Sequence, residues 1–408
     1  MKTLLRNALL WDGIASEPRP RRDVLVAGGA IAEIGSTDDT RRVDDARTID
    51  LDGAFLMPGL IDMHVHLIWS GSPDPVSVVD NEGEQYTAMR SVANAQAHLR
   101  RGITTVRDVG SNWDIAITLA RAIARGHIVG PRVVASGRTI IMTGGHDPFW
   151  GIECDGRDAV LRGVRTQVYA GAGVIKVAAT GGVYGRPEGE EIGQSELTYD
   201  ELLVAADEAH RFGLKVASHA VGARGILDSV RAGIDTIEHG IFLNEEIVIE
   251  MKKRGTAVTP TLIIYRTIAD GASRGIPEYA VKKAKKATAA HRASFGMLME
   301  AKIPILAGTD AGSCSAPHPW LLDELRAMHD YGLPLEGALR AATSNAAAAL
   351  GKAHEIGTIE PGAQADLIVV GGNPFNGLDA LEDVRFVISG GRIVVDATAG
   401  QLETPILA

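Results

Sequence analysis

Two histidines stand two residues apart at the end of an apolar run, in the sequence PGLIDMHVHL at residues 58–67. Residues two apart in a β-strand point to the same side of the sheet. His64 and His66 are therefore expected to project in one direction from a strand end. Other polar residues stand within or at the ends of similar short runs, and these are Lys176, His219, His239 and Asp310.

Imidazole and carboxylate groups together are typical ligands of zinc and similar divalent metals. Each residue also has a simpler interpretation when it is taken alone. A single strand-end histidine is more often a surface residue, Asp310 could cap the following segment, and Lys176 could form a buried ion pair. Four histidines and an aspartate at the ends of four different strands instead favour one shared metal site.

Between residues 58 and 355, predicted strands alternate with predicted helices, and these elements must position the polar residues. Eight β-rich runs are separated by helical patterns, and the runs are LIDMHVH, TTVRDVG, RVVASG, GVIKVAA, KVASHA, DTIEHG, TAVTPTL and IPILAGTD. The clearest helix is predicted at 198–212, where Thr198 and Glu201 form a capping box and Gly213 follows. Eight such units predict an α/β fold, a (β/α)8 TIM barrel with its catalytic residues at the carboxyl ends of the strands. An open, doubly wound sheet is the alternative.

The remaining segments, 1–57 and 356–408, have a different pattern. They contain short β-rich runs separated by Gly, Asp and Pro turns, with no helical pattern between them. These runs resemble antiparallel hairpins. We predict that the two segments join as one small β-sandwich domain beside the barrel.

The composition favours a globular cytoplasmic protein with a small-molecule substrate. The chain of 408 residues has a formal charge of −10 and no long basic block, which argues against nucleic acid as a partner. Two cysteines are too few for a disulfide framework and indicate a reducing compartment. The N-terminal sequence lacks the apolar core of a signal peptide, and no run approaches the roughly 18 apolar residues that would predict a membrane span. Assembly into a homo-oligomer is left open.

The motifs HVH, the lysine of the fourth run, SHA, IEHG and GTDAG, in this order, resemble those of the amidohydrolase superfamily. The likeness covers essentially the whole chain, including GTIEPGAQADLIVV near its end. It implies that His64, His66 and Asp310 hold one metal ion and that His219 and His239 hold a second.

The resemblance also implies how the two metal ions, with zinc as the first candidate, are joined. Lys176 would be carboxylated to a carbamate that bridges them together with a hydroxide. A water bound between two divalent cations loses a proton near neutral pH and becomes a nucleophile. Asp310 would accept that proton as general base and return it to the departing amine as general acid.

The reaction expected from the sequence is hydrolysis of an amide rather than deamination. Deaminases of the superfamily usually hold one metal, lack the bridging lysine and carry a glutamate shortly after the fifth-strand histidine. After His219 this chain has AVGARG instead. Glu238 precedes His239 and, at the neighbouring strand position, is expected to point away from the site.

Three further features resemble one branch, the zinc dipeptidases and prolidases that are grouped with imidazolonepropionase-like proteins. They are TGGH at 143–146, ATGGV after the lysine, and PTLIIY at 260–265. By this resemblance His146 and Tyr265 would contact the substrate, at its carbonyl oxygen or at the carboxylate of the leaving amino acid. As alternatives, His146 could be solvent exposed and Tyr265 could be packed in the core.

Three weaker candidates complete the expected substrate site. Arg266 could bind a carboxylate through its planar guanidinium, and His318 could line the pocket. The loop at 183–194 is either a mobile lid or a solvated surface loop. Its acidic residues, Glu188, Glu190 and Glu191, could favour a substrate with a basic side chain.

The sequence therefore predicts a binuclear, metal-dependent amide hydrolase. The expected substrates are dipeptides, of Xaa-Pro or Xaa-Arg/Lys type, or N-acyl amino acids. A cyclic-amide hydrolase, a lactonase or a xenobiotic amide hydrolase with the same metals is the main alternative. A non-catalytic barrel protein is a further one, although every expected ligand is present.

Overall fold

The structure is a computed structural model that describes residues 2–37, 45–186, 188–397 and 401–402. Pro187 of the loop at 183–194 lies outside the described residues. So do parts of the two terminal segments, namely residues 1, 38–44, 398–400 and 403–408.

The described elements alternate between strands and helices in the middle of the chain. The strands are β1 (Lys2–Leu10), β2 (Arg19–Ala27), β3 (Ala30–Ser36), β4 (Ala46–Asp50), β5 (Phe55–Pro58), β6 (Leu60–Val65), β7 (Ile103–Asp108), β8 (Arg132–Ala135), β9 (Ile140–Ile141), β10 (Ile152–Glu153), β11 (Val174–Ala178), β12 (Lys215–Ala220), β13 (Thr236–His239), β14 (Ala257–Thr259), β15 (Leu367–Val370), β16 (Val384–Ser389), β17 (Arg392–Asp396) and β18 (Gln401–Leu402). The helices are α1 (Pro75–Arg100), α2 (Ile115–Ala124), α3 (Arg157–Ala170), α4 (Tyr199–Arg211), α5 (Ala223–Ala232), α6 (Glu245–Arg254), α7 (Leu262–Ala269), α8 (Glu278–Ala301), α9 (Leu321–Asp330), α10 (Leu335–Ala341) and α11 (Ser344–Ala349). This alternation confirms the predicted α/β class.

Strands from both ends of the sequence lie in one nine-stranded sheet. Its order is β18-β17-β16-β15-β5-β1-β2-β3, with β4 paired to β1. β5 therefore connects the N-terminal strands with the later ones, because it pairs with β1 on one side and with β15 on the other. The expectation of antiparallel hairpins alone is wrong for two pairs, since β1 runs parallel to both β4 and β5.

The strands between residues 60 and 259 form two parallel sheets, of order β6-β7-β8 and β10-β9-β11-β12-β13-β14. Seven of the eight predicted runs contain one of these strands. The eighth run, IPILAGTD, is not an assigned strand, but Ile305 bridges to Val258 of β14, and Ala311, just after the run, bridges to Val65 of β6. Between these bridges the Met63 N–H donates to the Ala307 carbonyl. Pro304 has no N–H to donate, and Asp310 has a left-handed backbone with φ of 60°, so regular strand geometry is interrupted near both ends of the run.

Helix α4 shows how the predicted patterns are realised. The Thr198 side chain accepts the backbone N–H of Glu201, and the Glu201 side chain accepts the backbone N–H of Thr198, which confirms the predicted capping box. Gly213 follows the helix with φ of 72°, where a residue with a Cβ would be strained. Leu202 and Ala206 are buried in the main core, which fills the space between the strands and their helices.

Within the described part of the chain, no helix combines the length and the apolarity that crossing a bilayer requires.

Candidate metal centre and substrate pocket

The polar strand-end residues meet in one pocket at the carboxyl ends of the parallel strands. His64 lies in β6, Lys176 in β11, His219 in β12, and His239 is the last residue of β13. The pocket is lined by His64, His66, Trp69, His146, Asp147, Lys176, Val183, Tyr184, His219, His239, Ile264, Tyr265, Ile268, Asp310 and Ser313. All six residues that the sequence suggested as metal ligands are among them.

Three of these histidines have their Nδ1 atom tied to an oxygen acceptor. His64 donates from Nδ1 to the Glu238 carboxylate at 2.8 Å, and His66 donates to the Gly110 carbonyl at 3.1 Å. His239 Nδ1 lies 2.7 Å from Thr261 Oγ1, and because that hydroxyl donates to the Pro260 carbonyl, the imidazole must be the donor. A proton held on Nδ1 leaves the lone pair on Nε2, which is the form of histidine that binds metal ions.

The free ends of these side chains lie close together. One donor atom from each of His64, His239 and Asp310 falls within 4.8 Å of the others. Asp310 Oδ1 is 3.3 Å from His66 Nε2 and 3.9 Å from His64 Nε2. Burial raises the pKa of Asp310, but its contact with His66 and the electrostatic effect of His64 and Lys176 outweigh that effect and hold the pKa below its usual value.

The fourth histidine and the lysine complete a donor set that fits divalent metal ions. His219 Nε2 is buried without a hydrogen-bond partner among the described residues, and burial keeps the pKa of this imidazole well below its usual value. Burial also lowers the pKa of Lys176, even though Glu238 and Asp147 act in the opposite direction. In the part of the chain that the structure describes, His219 Nε2 thus lacks a partner beside three imidazoles with fixed tautomers and the Asp310 carboxylate. This set of donors fits a divalent cation.

Glu238 corrects one expectation from the sequence. It points toward the other ligands rather than away from them, and Arg107 binds its second oxygen at 2.7 Å while donating to Thr236 at 2.8 Å. Thr236 and Glu238 lie on the same face of β13, and His239 reaches that face because its backbone is left-handed, with φ of 74°. The strict alternation that motivated the prediction is therefore broken at the last residue of the strand.

His146 lies beside His219 with ring centroids 3.9 Å apart. Its Nδ1 is 2.7 Å from Glu190, and its backbone N–H donates to Glu196 at 2.8 Å. Burial alone would lower the pKa of His146, but the carboxylates of Asp147 and Glu190 raise it to about 9. His146 is thus buried in the pocket wall and not solvent exposed.

Tyr265 lies in α7 and is also buried in the pocket wall. Its ring meets those of His239 and His291 edge to face, with centroids 5.4 and 5.2 Å apart. Tyr265 was expected either to contact the substrate or to be packed in the core. Its ring is packed, and its side chain also lines the pocket.

Two of the weaker candidates are not brought into the pocket. Arg266 turns to the other side of α7, where its guanidinium lies 3.5 Å from Asp330 and near the Tyr331 ring. His318 lies behind Trp69 and bonds its backbone carbonyl at 3.2 Å. Neither residue is part of the pocket lining.

Aromatic side chains lie on one side of the pocket, where Trp69 and Tyr184 belong to the lining. Trp69 contacts Trp150 with ring centroids 4.3 Å apart, and Phe149 and Tyr184 each lie within 5.9 Å of Trp69. Val183, Ile264 and Ile268 extend this apolar surface. The pocket therefore joins a polar floor to an apolar wall, a combination typical of sites for small organic molecules.

Sequence reasoning did not find several residues that hold the site together. Arg107, Thr261 and the inward orientation of Glu190 are the main ones. Only Arg107 left a signal, since an arginine within the apolar strand TTVRDVG requires a buried partner.

The geometry agrees with the comparisons to known proteins. The chain belongs to the amidohydrolase family, whose model matches residues 55–394. Similar proteins in this family include hydrolases of amide bonds, such as ochratoxinase and a Xaa-Pro dipeptidase, and the chain is a hydrolase of this class.

Particular relatives place it in the branch expected from the sequence. The crystal structure of a Xaa-Pro dipeptidase with methionine bound in its active site is 31% identical, with a TM-score of 0.89, over 96% of this chain and 99% of that chain. Ochratoxinase from Aspergillus niger is 28% identical over 96% of this chain and 86% of its own length. Imidazolonepropionase from Geobacillus thermodenitrificans is 25% identical over 91% of this chain and 90% of its own length. The resemblance to the prolidase-like branch is thus confirmed.

Proposed function

We propose that the protein is a binuclear metal-dependent amide hydrolase, in which His64, His66 and Asp310 hold one divalent ion and His219 and His239 hold the other. The observation that carries this proposal is the tethering of Nδ1 in three buried histidines whose Nε2 atoms face a common space. Zinc is the first candidate because it accepts imidazole and carboxylate ligands together.

Lys176 has a separate role in this proposal. We assign it to the position between the two ions, as a carbamate formed with CO₂, because its side chain lines the same pocket as all the other ligands. An unmodified ammonium is cationic and has no lone pair for a metal, whereas a carbamate offers two oxygens. When bound, the metal ions would lower the pKa of a water molecule and polarise the carbonyl group of the substrate.

The side chains of the chain then have defined tasks. The Asp310 carboxylate would take the proton of the attacking water on Oδ and pass it to the departing amine. His146 would hold the carbonyl oxygen or a carboxylate of the substrate through the nitrogen that faces the pocket. Tyr265 would contact the same part of the substrate from α7.

The expected substrates are dipeptides and N-acyl amino acids. The similarity to a Xaa-Pro dipeptidase supports the first group. The aromatic wall around Trp69 and the similarity to ochratoxinase favour a second candidate function, hydrolysis of a bulky aromatic amide. No exposed carboxylate of the 183–194 loop is in the pocket lining, which weakens the case for a basic side chain.

We further propose that the two parallel sheets close into one (β/α)8 barrel. The segment at 304–311 supports this, because it bridges to β14 at Ile305 and to β6 at Ala311. Arg107 of β7 supports it as well, since it donates to Thr236 of β13. This bond crosses from one parallel sheet to the other.

The test is release of free amino acids by the zinc-loaded enzyme from a library of dipeptides, N-acyl amino acids and aromatic amides of amino acids. Release from one class would establish the reaction and its preference. The proposal fails if the purified protein binds no divalent metal on addition. If the protein binds two metal ions but releases no amino acid from the library, the proposed metal centre stands. Lactams and lactones would then be the next substrates to test.

A further inference from the structure

The loop at 183–194 contains three glutamates, of which only Glu190 is buried. Glu188 and Glu191 are exposed, whereas Glu190 is 4% exposed. A buried carboxylate needs partners that compensate for its loss of water. The partners of Glu190 therefore indicate why the segment folds inward at this residue.

Among the described residues, the hydrogen-bond partners of Glu190 lie in the pocket lining or in the segment 182–186. Its Oε1 accepts from His146 Nδ1 at 2.7 Å and from the backbone N–H of Gly182 at 2.8 Å. Its Oε2 accepts from the backbone N–H of Arg186 at 2.5 Å. The carboxylate thus joins the loop to a histidine 44 residues earlier in the chain.

Two glycines make room for this contact. A Cβ on Gly182 would lie 2.4 Å from His146 Cε1 and 2.7 Å from His219 Nε2. A Cβ on Gly185 would lie 2.1 Å from Glu190 Oε2. None of these three distances is possible for real atoms, so the backbone is packed directly around the side chains of His146 and Glu190.

The contact also decides which nitrogen of His146 faces the pocket. Because Nδ1 is bound to Glu190, Nε2 is the nitrogen that faces the pocket, where Asp147 Oδ1 lies 3.4 Å from it. Glu196, two residues after this loop, accepts the His146 backbone N–H at 2.8 Å, so both the main chain and the ring of His146 are fixed. The loop therefore holds one side chain of the site in place.

We propose that Glu190 is a positioning residue, which acts on the substrate through His146 and not as a surface charge that selects basic side chains. This inference rests on the proposed function. If so, the loop contributes to the substrate site whether the substrate is charged or neutral. Glu188 and Glu191 are then not needed for substrate binding.

The experiment is a double-mutant cycle on the zinc-loaded enzyme with Glu190→Gln, His146→Asn and the two combined. Glu191→Gln is the matched control, since it removes an exposed glutamate next to Glu190. For the best substrate of the library we expect Glu190→Gln to lower kcat/KM by roughly 10- to 100-fold, because misplaced binding groups cost about that much. In the His146→Asn background the same change should alter kcat/KM by less than about twofold.

Two further readouts separate positioning from damage to the fold. The zinc content and thermal midpoint of Glu190→Gln should stay close to those of the parent. Its affinity for an N-methylphosphonyl amino acid, measured by calorimetry, should fall together with kcat/KM, while Glu191→Gln should bind like the parent.

Three results would overturn the inference. The first is a kcat/KM of Glu190→Gln equal to that of the parent. The second is that Glu190→Gln lowers kcat/KM by the same factor with His146 in place and in the His146→Asn background, which would indicate a structural role for the loop. The third is a loss restricted to substrates with basic side chains, which would restore the surface-charge interpretation. If the parent itself neither hydrolyses the library nor binds the phosphonate, the proposed function fails first, and that outcome is visible without any variant.

Discussion

Two groups of buried histidines in this protein use their nitrogens differently. His98 and His318 bind each other, with His98 Nε2 2.9 Å from His318 Nδ1. Burial lowers the pKa of both, to about 4 for His318. In the pocket, by contrast, each tethered histidine gives Nδ1 to an oxygen and turns Nε2 toward Asp310 or its neighbours.

The difference shows what distinguishes a metal centre from buried polar packing. Both groups are buried, and both contain imidazoles with lowered pKa values. His318 also has an oxygen acceptor, the Trp69 carbonyl, but its other nitrogen is occupied by His98. In the pocket, the oxygen acceptors fix the tautomer and leave the opposite nitrogens pointing at one place. Four predictions test this distinction, and they are ordered by the size of the expected effect.

Replacing Lys176 with Ala should have the largest effect, because it removes the proposed bridge between the two ions. We expect turnover to fall by about 10³-fold or more and the zinc content to drop below two ions per chain. Elemental analysis and initial rates measure both. Lys282→Ala, an exposed lysine, is the control. Near-parent turnover with two ions bound would rule out a bridging lysine.

Asp310→Asn should rank second. Loss of a general acid and base costs about 10²- to 10⁴-fold in kcat. Asparagine tolerates the left-handed backbone of this residue, with φ of 60°, so the fold should persist. Steady-state kinetics and circular dichroism measure the two effects, with Asp330→Asn as a surface control. An unchanged kcat would exclude Asp310 from proton transfer.

Glu238→Gln should weaken metal binding without removing a ligand. The carboxylate fixes His64 through Nδ1, and loss of such an outer partner costs roughly 10- to 100-fold in metal affinity. Competition with a chromogenic chelator gives the affinity, and Glu246→Gln on the exposed face of α6 serves as the control. If the affinity were unchanged, the tautomer of His64 would have to be set by other contacts.

His318→Gln should have the smallest effect on the site. Its hydrogen bond with His98 is lost, so the free energy of unfolding should fall by about 1–3 kcal/mol. The zinc content and kcat should stay the same because the residue lies behind Trp69. Denaturant unfolding and elemental analysis distinguish the two. Loss of zinc in this variant would show that the His98–His318 pair also supports the metal centre, contrary to the distinction drawn between the two histidine groups.

The sequence was sufficient for features that follow from periodicity. The strand-end histidines and Lys176 could be placed because parallel strands end at one edge, and helix α4 because its capping box is local. The eighth run was predicted as a strand, yet Pro304 and the left-handed Asp310 leave it with isolated bridges.

Features that depend on single dihedral angles or distant contacts could not be predicted. Glu238 was misplaced because the sequence does not reveal the positive φ of His239. Tyr265 and Arg266 are adjacent, and a helix turns successive side chains by about 100°, so only coordinates could show which one faces the pocket. The pairing of Glu190 with His146 is remote in sequence and follows no local pattern.

The sheet that contains β5 and β15 links the fold to the order of protein synthesis. Translation delivers β1 and β5 first and Leu367 of β15 only after all the strands of the pocket. Until then one edge of β5 has no strand to pair with, and open edges are where other chains add on. In the nascent polypeptide, the strands that bear the pocket residues are therefore present while the sheet that contains β5 is still incomplete. The open edge of β5 can be paired only after β15 has left the ribosome.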